Sequence, residues 1–120
     1  RDLFTGNTTL GAIITNAAFD KAQMNKIAAM AQNGYARSIR PVHTQADGDT
    51  VYALSTGEVT ADLNAVGTLA AQVMAEAIRS AVFSAESAYG LPCAADFMKK
   101  DIVWNPRFLV SGRLTAVLCL

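Results

Sequence analysis

The sequence has little of what usually announces a chemistry. It has one histidine, His43, and two cysteines, Cys93 and Cys119. Two thiols with no histidine pair beside them make neither a zinc ligand set nor a disulfide framework. They read as ordinary thiols in a reducing compartment. No sign of charge is in excess, since Lys plus Arg total 10 and Asp plus Glu total 10. Such a chain lacks the basic surplus that draws nucleic acid or an anionic membrane surface. No uncharged apolar run reaches the roughly 18 residues that a spanning helix needs. A G-x-S-x-G elbow, an H-E-x-x-H pair, a P-loop and a dinucleotide fingerprint are all missing. These gaps point to no cofactor, no metal, no nucleic acid and no membrane.

What is present is enough for one folded domain. The chain has 120 residues, and 52% of them are hydrophobic, too many for a disordered segment. Alanine occurs 22 times, which favours helices and close packing between layers. The first residue is Arg1 and no leader pattern follows it. We read the chain as starting inside a longer gene product, with the cytoplasm as the expected compartment and the periplasm as its alternative.

The patterning alternates between strand and helix. Residues 8–15 are β-branched and nearly uncharged, as in a buried strand, and Gly11 marks a close approach within it. Asp20 and Gln23 form a capping-box pair at the head of a helix. Met24, Ile27, Ala28, Ala31 and Tyr35 then recur at helical spacing, and Pro41 forbids continuation past Arg40. A polar turn over 43–49 leads to a strand at 50–55. A long helix is expected over 63–88, its apolar stripe made of Val66, Leu69, Ala70, Val73, Ala77, Ile78 and Ala81. The tail beyond 99, with Trp104 and Phe108, reads as one or two strands broken at Ser111-Gly112. Two strands and two helices leave both layers incomplete, so further strands are expected from an upstream segment or a partner chain.

Three places can carry chemistry. Gly6-Asn7-Thr8-Thr9 would hold a hydroxyl at the edge of a rigid sheet, or is simply a turn entering a Thr-rich strand. Asp47-Gly48-Asp49 can direct two carboxylates into one site, or is a solvated Asp-Gly turn. Arg37, Arg40 and His43 offer a carboxylate clamp and a general base, or a decorated helix end and a structural histidine. Spacing alone leaves each pair of readings open.

Taken together, the segments resemble a known family. The relevant stretches are Gly6-Asn7-Thr8-Thr9-Leu10-Gly11, Asn33-Gly34-Tyr35-Ala36-Arg37, Ile39-Arg40-Pro41-Val42-His43-Thr44 and Asp47-Gly48-Asp49-Thr50-Val51-Tyr52-Ala53-Leu54-Ser55-Thr56-Gly57. They look like the C-terminal part of the DmpA-like aminopeptidases, a family that includes L-aminopeptidase/D-Ala-esterase, β-aminopeptidases and nylon-oligomer hydrolases. The resemblance runs over residues 6–97. It implies an α/β (α+β) fold, the nucleophile-bearing part of an αββα layered sandwich that an upstream chain of the same precursor completes. Residues 1–7 would be the end of that upstream chain, 8–98 the nucleophile-bearing portion, and 99–120 an atypical apolar extension.

The resemblance also implies the site. Self-cleavage would fall between Asn7 and Thr8, making Thr8 the N-terminal nucleophile, with Thr9 as its rival. Asp47 and Asp49 lie 39 and 41 positions after Thr8, where the family places paired acidic or hydroxyl residues. Two aspartates there match the nylon-oligomer branch; the aminopeptidase branch tends to Ser and Glu. The chemistry is coherent in itself. A threonine hydroxyl is a weak nucleophile, and an α-amine with a pKa of about 7.7 to 8 is a suitable base beside it. Asp47 would hold that amine and Asp49 would support Asp47. With 1–7 still attached, Thr8 has no free amine, so the chain as written would be unprocessed and inactive alone. The expected activity is hydrolysis of amide bonds in small peptides or amino-acid amides, in a homo-oligomer packed through the second long helix. The alternatives are an N-terminal-threonine acyltransferase like the ornithine acetyltransferases, or a non-catalytic interaction module.

Overall fold

A computed structural model describes residues 8–98 and the strand at 114–119. Asn7, Trp104 and Phe108 lie outside the described residues. The architecture is mixed α/β. Three strands are ordered β2-β1-β3, where β1 is Leu10–Ala17, β2 is Thr50–Val59 and β3 is Leu114–Cys119. β1 and β2 run parallel, and β3 runs antiparallel to β1 on its other side. Among the described residues four helices accompany them: α1 (Lys21–Ala31), α2 (Asn33–Ser38), α3 (Leu63–Ser84) and the single turn α4 (Ala94–Phe97).

β1 alternates, as a strand with two different faces must. Gly11, Ile13, Thr15 and Ala17 are buried against the helices. On the opposite face Leu10, Ile14, Tyr52 and Leu54 are between 39 and 60% exposed. The core lies on the helical side only, where Ile13 meets Met24, Ile27, Ala31, Tyr35, Ala70, Met74 and Ile78. Among the described residues the second face of the sheet has no layer of side chains over it.

The strand begins two residues later than its β-branched run predicts. The cause is local: the Thr9 amide is bonded to the Asp49 side chain, so the ladder starts at Leu10. β2 in turn runs past its expected end to Val59. Gly57 adopts a φ of +71° and the register shifts between Thr15 and Ala17, so Val59 rejoins β1 across a bulge. The Ser55 hydroxyl bonds the Ala17 carbonyl at that bulge.

The capping box forms as its sequence predicts. Asp20 Oδ1 accepts from Gln23 N at 2.8 Å, and Asp20 N donates to Gln23 Oε1 at 3.0 Å. The helix does not run on unbroken, however. Its ladder tightens at Gln32, where Tyr35 N reaches back three residues to the Gln32 carbonyl at 3.0 Å. That tightening starts α2, whose buried residues are Gly34 and Tyr35. Arg40–Pro41, a cis peptide bond, lies beyond it.

α3 ends at Ser84, before the expected 88, and its buried stripe is rotated from the predicted one. Ala70 and Ile78 are buried as expected, but Gly67, Ala71, Met74 and Ala75 complete the stripe, and Leu69 stays 40% exposed. Small residues win here because they let backbones approach. A Cβ on Gly34 would lie 2.5 Å from the Ala71 carbonyl oxygen and 2.7 Å from Met74 Cβ. A Cβ on Gly11 would meet the Tyr35 hydroxyl and the Met74 methyl. Gly11 is thus the close approach that its position in the strand predicts. The Leu114–Cys119 strand meets the expectation for the tail, and the rest of that expectation lies outside the described residues.

Because the obstacle at Gly34 is backbone, relief requires two helices to move apart. Gly34→Ala should therefore destabilise the fold by about 1–3 kcal/mol, read as a lowered thermal midpoint. An unchanged midpoint would mean that α2 and α3 are not in such close contact.

Candidate functional site

Parallel strands start at the same edge of a sheet, so the segments leading into β1 and β2 meet there. Leu10 pairs with Thr50 and Thr15 with Ser55, a constant offset of forty positions. Extended by two residues, the same offset sets Thr8 beside Gly48. The geometry bears this out, since a Cβ on Gly48 would lie 2.8 Å from Thr8 Oγ1. Glycine between the two aspartates is what lets the turn close on the Thr8 side chain.

The 43–49 turn is tied at both ends by its own carboxylates. Asp49 uses both oxygens: Oδ1 accepts from Thr9 N at 2.8 Å and Oδ2 accepts from His43 N at 3.1 Å. Asp47 Oδ2 accepts from Thr44 N and from the Thr44 hydroxyl, each at 2.8 Å. Among the described residues no donor reaches Asp47 Oδ1. The Thr50 hydroxyl donates to the Gly48 carbonyl at 3.0 Å, closing the tip.

The two threonines differ in accessibility. Thr8 is exposed, whereas Thr9 is buried on the helical side, with its carbonyl accepting from Thr50 N at 2.9 Å. Asp49 therefore clips the peptide that follows Thr8. The expected role of Asp49 is support of Asp47; among the described residues its hydrogen bonds go to Thr9 N and His43 N instead.

His43 has a positive φ of 59°, a conformation that histidine tolerates better than most residues. This bend aims its N–H at Asp49. Its ring is exposed, and Nδ1 is 2.7 Å from Gln32 Nε2. With the amide nitrogen as donor, Nδ1 keeps its lone pair and the ring proton sits on Nε2. His43 thus links the α1–α2 corner to the turn. Arg37 and Arg40 are exposed, and no described contact brings them to the site.

Helical spacing places Tyr35 in the core, and the resemblance gives it no role of its own. Its ring is fully buried, yet its hydroxyl donates to the Thr50 carbonyl at 3.0 Å, with the Thr9 carbonyl at 3.5 Å. Its helical spacing foretold the burial and gave no sign of the hydroxyl's partners. Burial and then the Asp49 charge push the phenol up to about 12, so it stays a neutral donor. Among the described residues no three His, Cys, Asp or Glu side chains converge as a metal site would require. No helix among them is long and apolar enough to cross a membrane. Cys93 is a free, half-buried thiol.

The Thr44 backbone and then side-chain bonds hold the Asp47 carboxyl below the usual aspartate range. A depressed folded-state pKa stabilises the turn above the ordinary carboxyl range and loses that effect as the pH falls through the folded value. Thr44→Val removes one of the two bonds. The Asp47 carboxyl should then titrate at a higher pH than in the parent, measured by carbon-detected NMR. A value equal to or lower than the parent's would contradict this account. Gly48→Ala, which pushes a methyl towards Thr8 Oγ1, should displace the Thr8 side chain and shift its NMR resonances while leaving the core resonances in place.

The comparisons with known proteins agree with this picture. The family model described as Peptidase family S58 matches residues 4–93, three quarters of the chain. An "uncharacterized aminopeptidase" of Mycobacterium leprae (strain TN) is 42% identical over 101 residues, covering 72% of this chain and 28% of the relative. A protein of the same description from Mycobacterium tuberculosis (strain H37Rv) is 40% identical over 105 residues, 75% of this chain and 30% of its own. A "6-aminohexanoate-oligomer endohydrolase" of Kocuria sp. (strain KY2) is 33% identical over 89 residues, 63% of this chain and 25% of its own. The chain thus spans about a quarter to a third of the length of these curated relatives. With the family motifs gathered around the start of β1 and β2, and the match running through both, the chain belongs to Peptidase family S58, the DmpA-like family.

Proposed function

We propose that this chain is the nucleophile-bearing part of a self-processing N-terminal threonine hydrolase. The observation that carries the reading is the clip at the head of β1. Asp49 holds the peptide after Thr8, Gly48 backs the Thr8 side chain, and Thr8 itself is exposed. A hydroxyl fixed from behind and open in front is arranged to attack. Exposure favours Thr8 over the buried Thr9.

Self-cleavage begins with Thr8 Oγ attacking the Asn7 carbonyl carbon. The hydroxyl proton passes to the Thr8 nitrogen as the C–N bond breaks, leaving an ester on Oγ. Water hydrolyses that ester, freeing the Asn7 carboxylate and the Thr8 hydroxyl, beside the amine released when the C–N bond broke. In turnover the free amine takes the Oγ proton while Oγ attacks the substrate amide. The leaving amine departs protonated, and water releases the acyl group. Asp47, whose Oδ1 meets no donor among the described residues, is the carboxylate suited to hold the Thr8 amine. The substrates are small peptides or amino-acid amides. The printed names of the relatives, aminopeptidases and an oligomer endohydrolase, support amide hydrolysis in this class. The open apolar sheet face supports an upstream chain as the second sheet of an αββα sandwich, and that chain would supply the oxyanion donors.

The test is the intact mass of the full-length gene product that carries this chain, beside Thr8→Ala. The parent should give two species with the boundary at Asn7–Thr8, and the variant one uncut species with no amidase activity. A parent that stays uncut, or a variant that cuts normally, would refute Thr8 as the nucleophile.

A further inference from the structure

The buried Tyr35 hydroxyl is left unused by the chemistry above. Its ring is buried in the core, and its hydroxyl oxygen lies beneath Gly11, in space that a Cβ there would crowd. Its oxygen is 3.0 Å from the Thr50 carbonyl and 3.5 Å from that of Thr9. The Thr9 carbonyl also accepts from Thr50 N, so three groups meet at one point of the β1–β2 seam. On one side of that point the chain leads directly to Thr8, and on the other to Asp49, Gly48 and Asp47. Asp49 fixes the same junction from the turn side through Thr9 N. The hydroxyl therefore does two things: it packs beneath Gly11 and it hydrogen-bonds the seam that leads to Thr8.

We infer that Tyr35 is a positioning residue for the Thr8 reaction. Its hydroxyl, held against the Thr50 and Thr9 carbonyls, sets the separation between the Thr8 side chain and the turn that carries Asp47 and Asp49. The inference rests on the reading of Thr8 as nucleophile. Small misplacements of a reacting atom are costly, with about 1 Å enough to lose roughly 100-fold in rate.

The test compares Tyr35→Phe with two other variants of the full-length gene product. Ile27→Val, in the core on α1, supplies a loss of thermal stability without touching the seam. Thr8→Ala reports on the nucleophile itself. Rates of self-cleavage come from intact mass, and kcat and KM from release of an aminoacyl amide. Tyr35→Phe should slow self-cleavage and lower kcat by about tenfold or more, with KM within about twofold, beyond anything Ile27→Val does. Equal rates in Tyr35→Phe and Ile27→Val, or a raised KM with kcat kept, would overturn the inference. If Tyr35→Phe does not fold, 3,5-difluorotyrosine at position 35 replaces it. Its more acidic hydroxyl should add an alkaline fall in kcat, and an unchanged pH profile would overturn the inference. Thr8→Ala separates the two claims. If it still cleaves, the nucleophile reading fails and takes this inference with it. If it is inert while Tyr35→Phe behaves as the parent, only the role of Tyr35 is lost.

Discussion

Everything at the candidate site depends on the parallel register of β1 and β2. With Leu10 opposite Thr50, the offset of forty positions carries Thr8 to Gly48 and Thr9 to Asp49. A slip of one residue would turn every side chain of the slipped strand to the other face and put an aspartate behind Thr8 instead of the glycine. The register is secured from two directions. The buried face of β1 accepts only its present set of side chains, and the Asp49 clip and Tyr35 hydroxyl lock the open end of the seam. The site also lies at the amino ends of two parallel strands, whereas ligands of open α/β sheets usually gather beyond the carboxyl ends. Here the entering segments, not a switch point in strand order, bring the groups together.

The same register explains which parts of the site were legible in the sequence. The separation between Thr8 and the aspartates is the length of one strand, two short helices and one turn, so family spacing and strand pairing report the same quantity. The Asp20–Gln23 box and the Pro41 stop were legible because their chemistry is local. So was the need for a close approach at Gly11. The break at Gln32 was not, because Gln32 itself has ordinary helical backbone angles and only the tightened bond to Tyr35 marks the change. The stripe of α3 was misplaced for a related reason. Hydrophobic periodicity weighs Leu69 and Val73 above Gly67 and Ala71, yet contact between helices is decided by which side chains are small enough.

The roles of the acidic pair were legible only in part. Sequence spacing treats Asp47 and Asp49 as equivalents flanking a glycine. Their partners separate them: Asp49 accepts a backbone amide on each oxygen, whereas among the described residues Asp47 takes both of its bonds on Oδ2. A carboxylate that bridges two segments through both oxygens is suited to hold a shape, and one whose bonds share a single oxygen to receive a further donor on the other. Tyr35 shows the opposite failure. A buried aromatic at helical spacing is the ordinary mark of a core, and the hydroxyl that reaches the seam leaves no trace in the pattern.

The open face of the sheet has a consequence for the order of events. Leu10, Ile14, Tyr52 and Leu54 are partly exposed on a face that no second layer covers among the described residues. In the proposed reading the layer that covers them arrives on the same polypeptide, and the link that brings it is the one later cut. An uncut link makes docking an intramolecular event, with an effective concentration that two free chains at cellular levels do not reach. Cutting then removes a tether that has already served, and the two halves stay together through the face it allowed them to close. In that reading, scission is a matter of assembly as much as of activation.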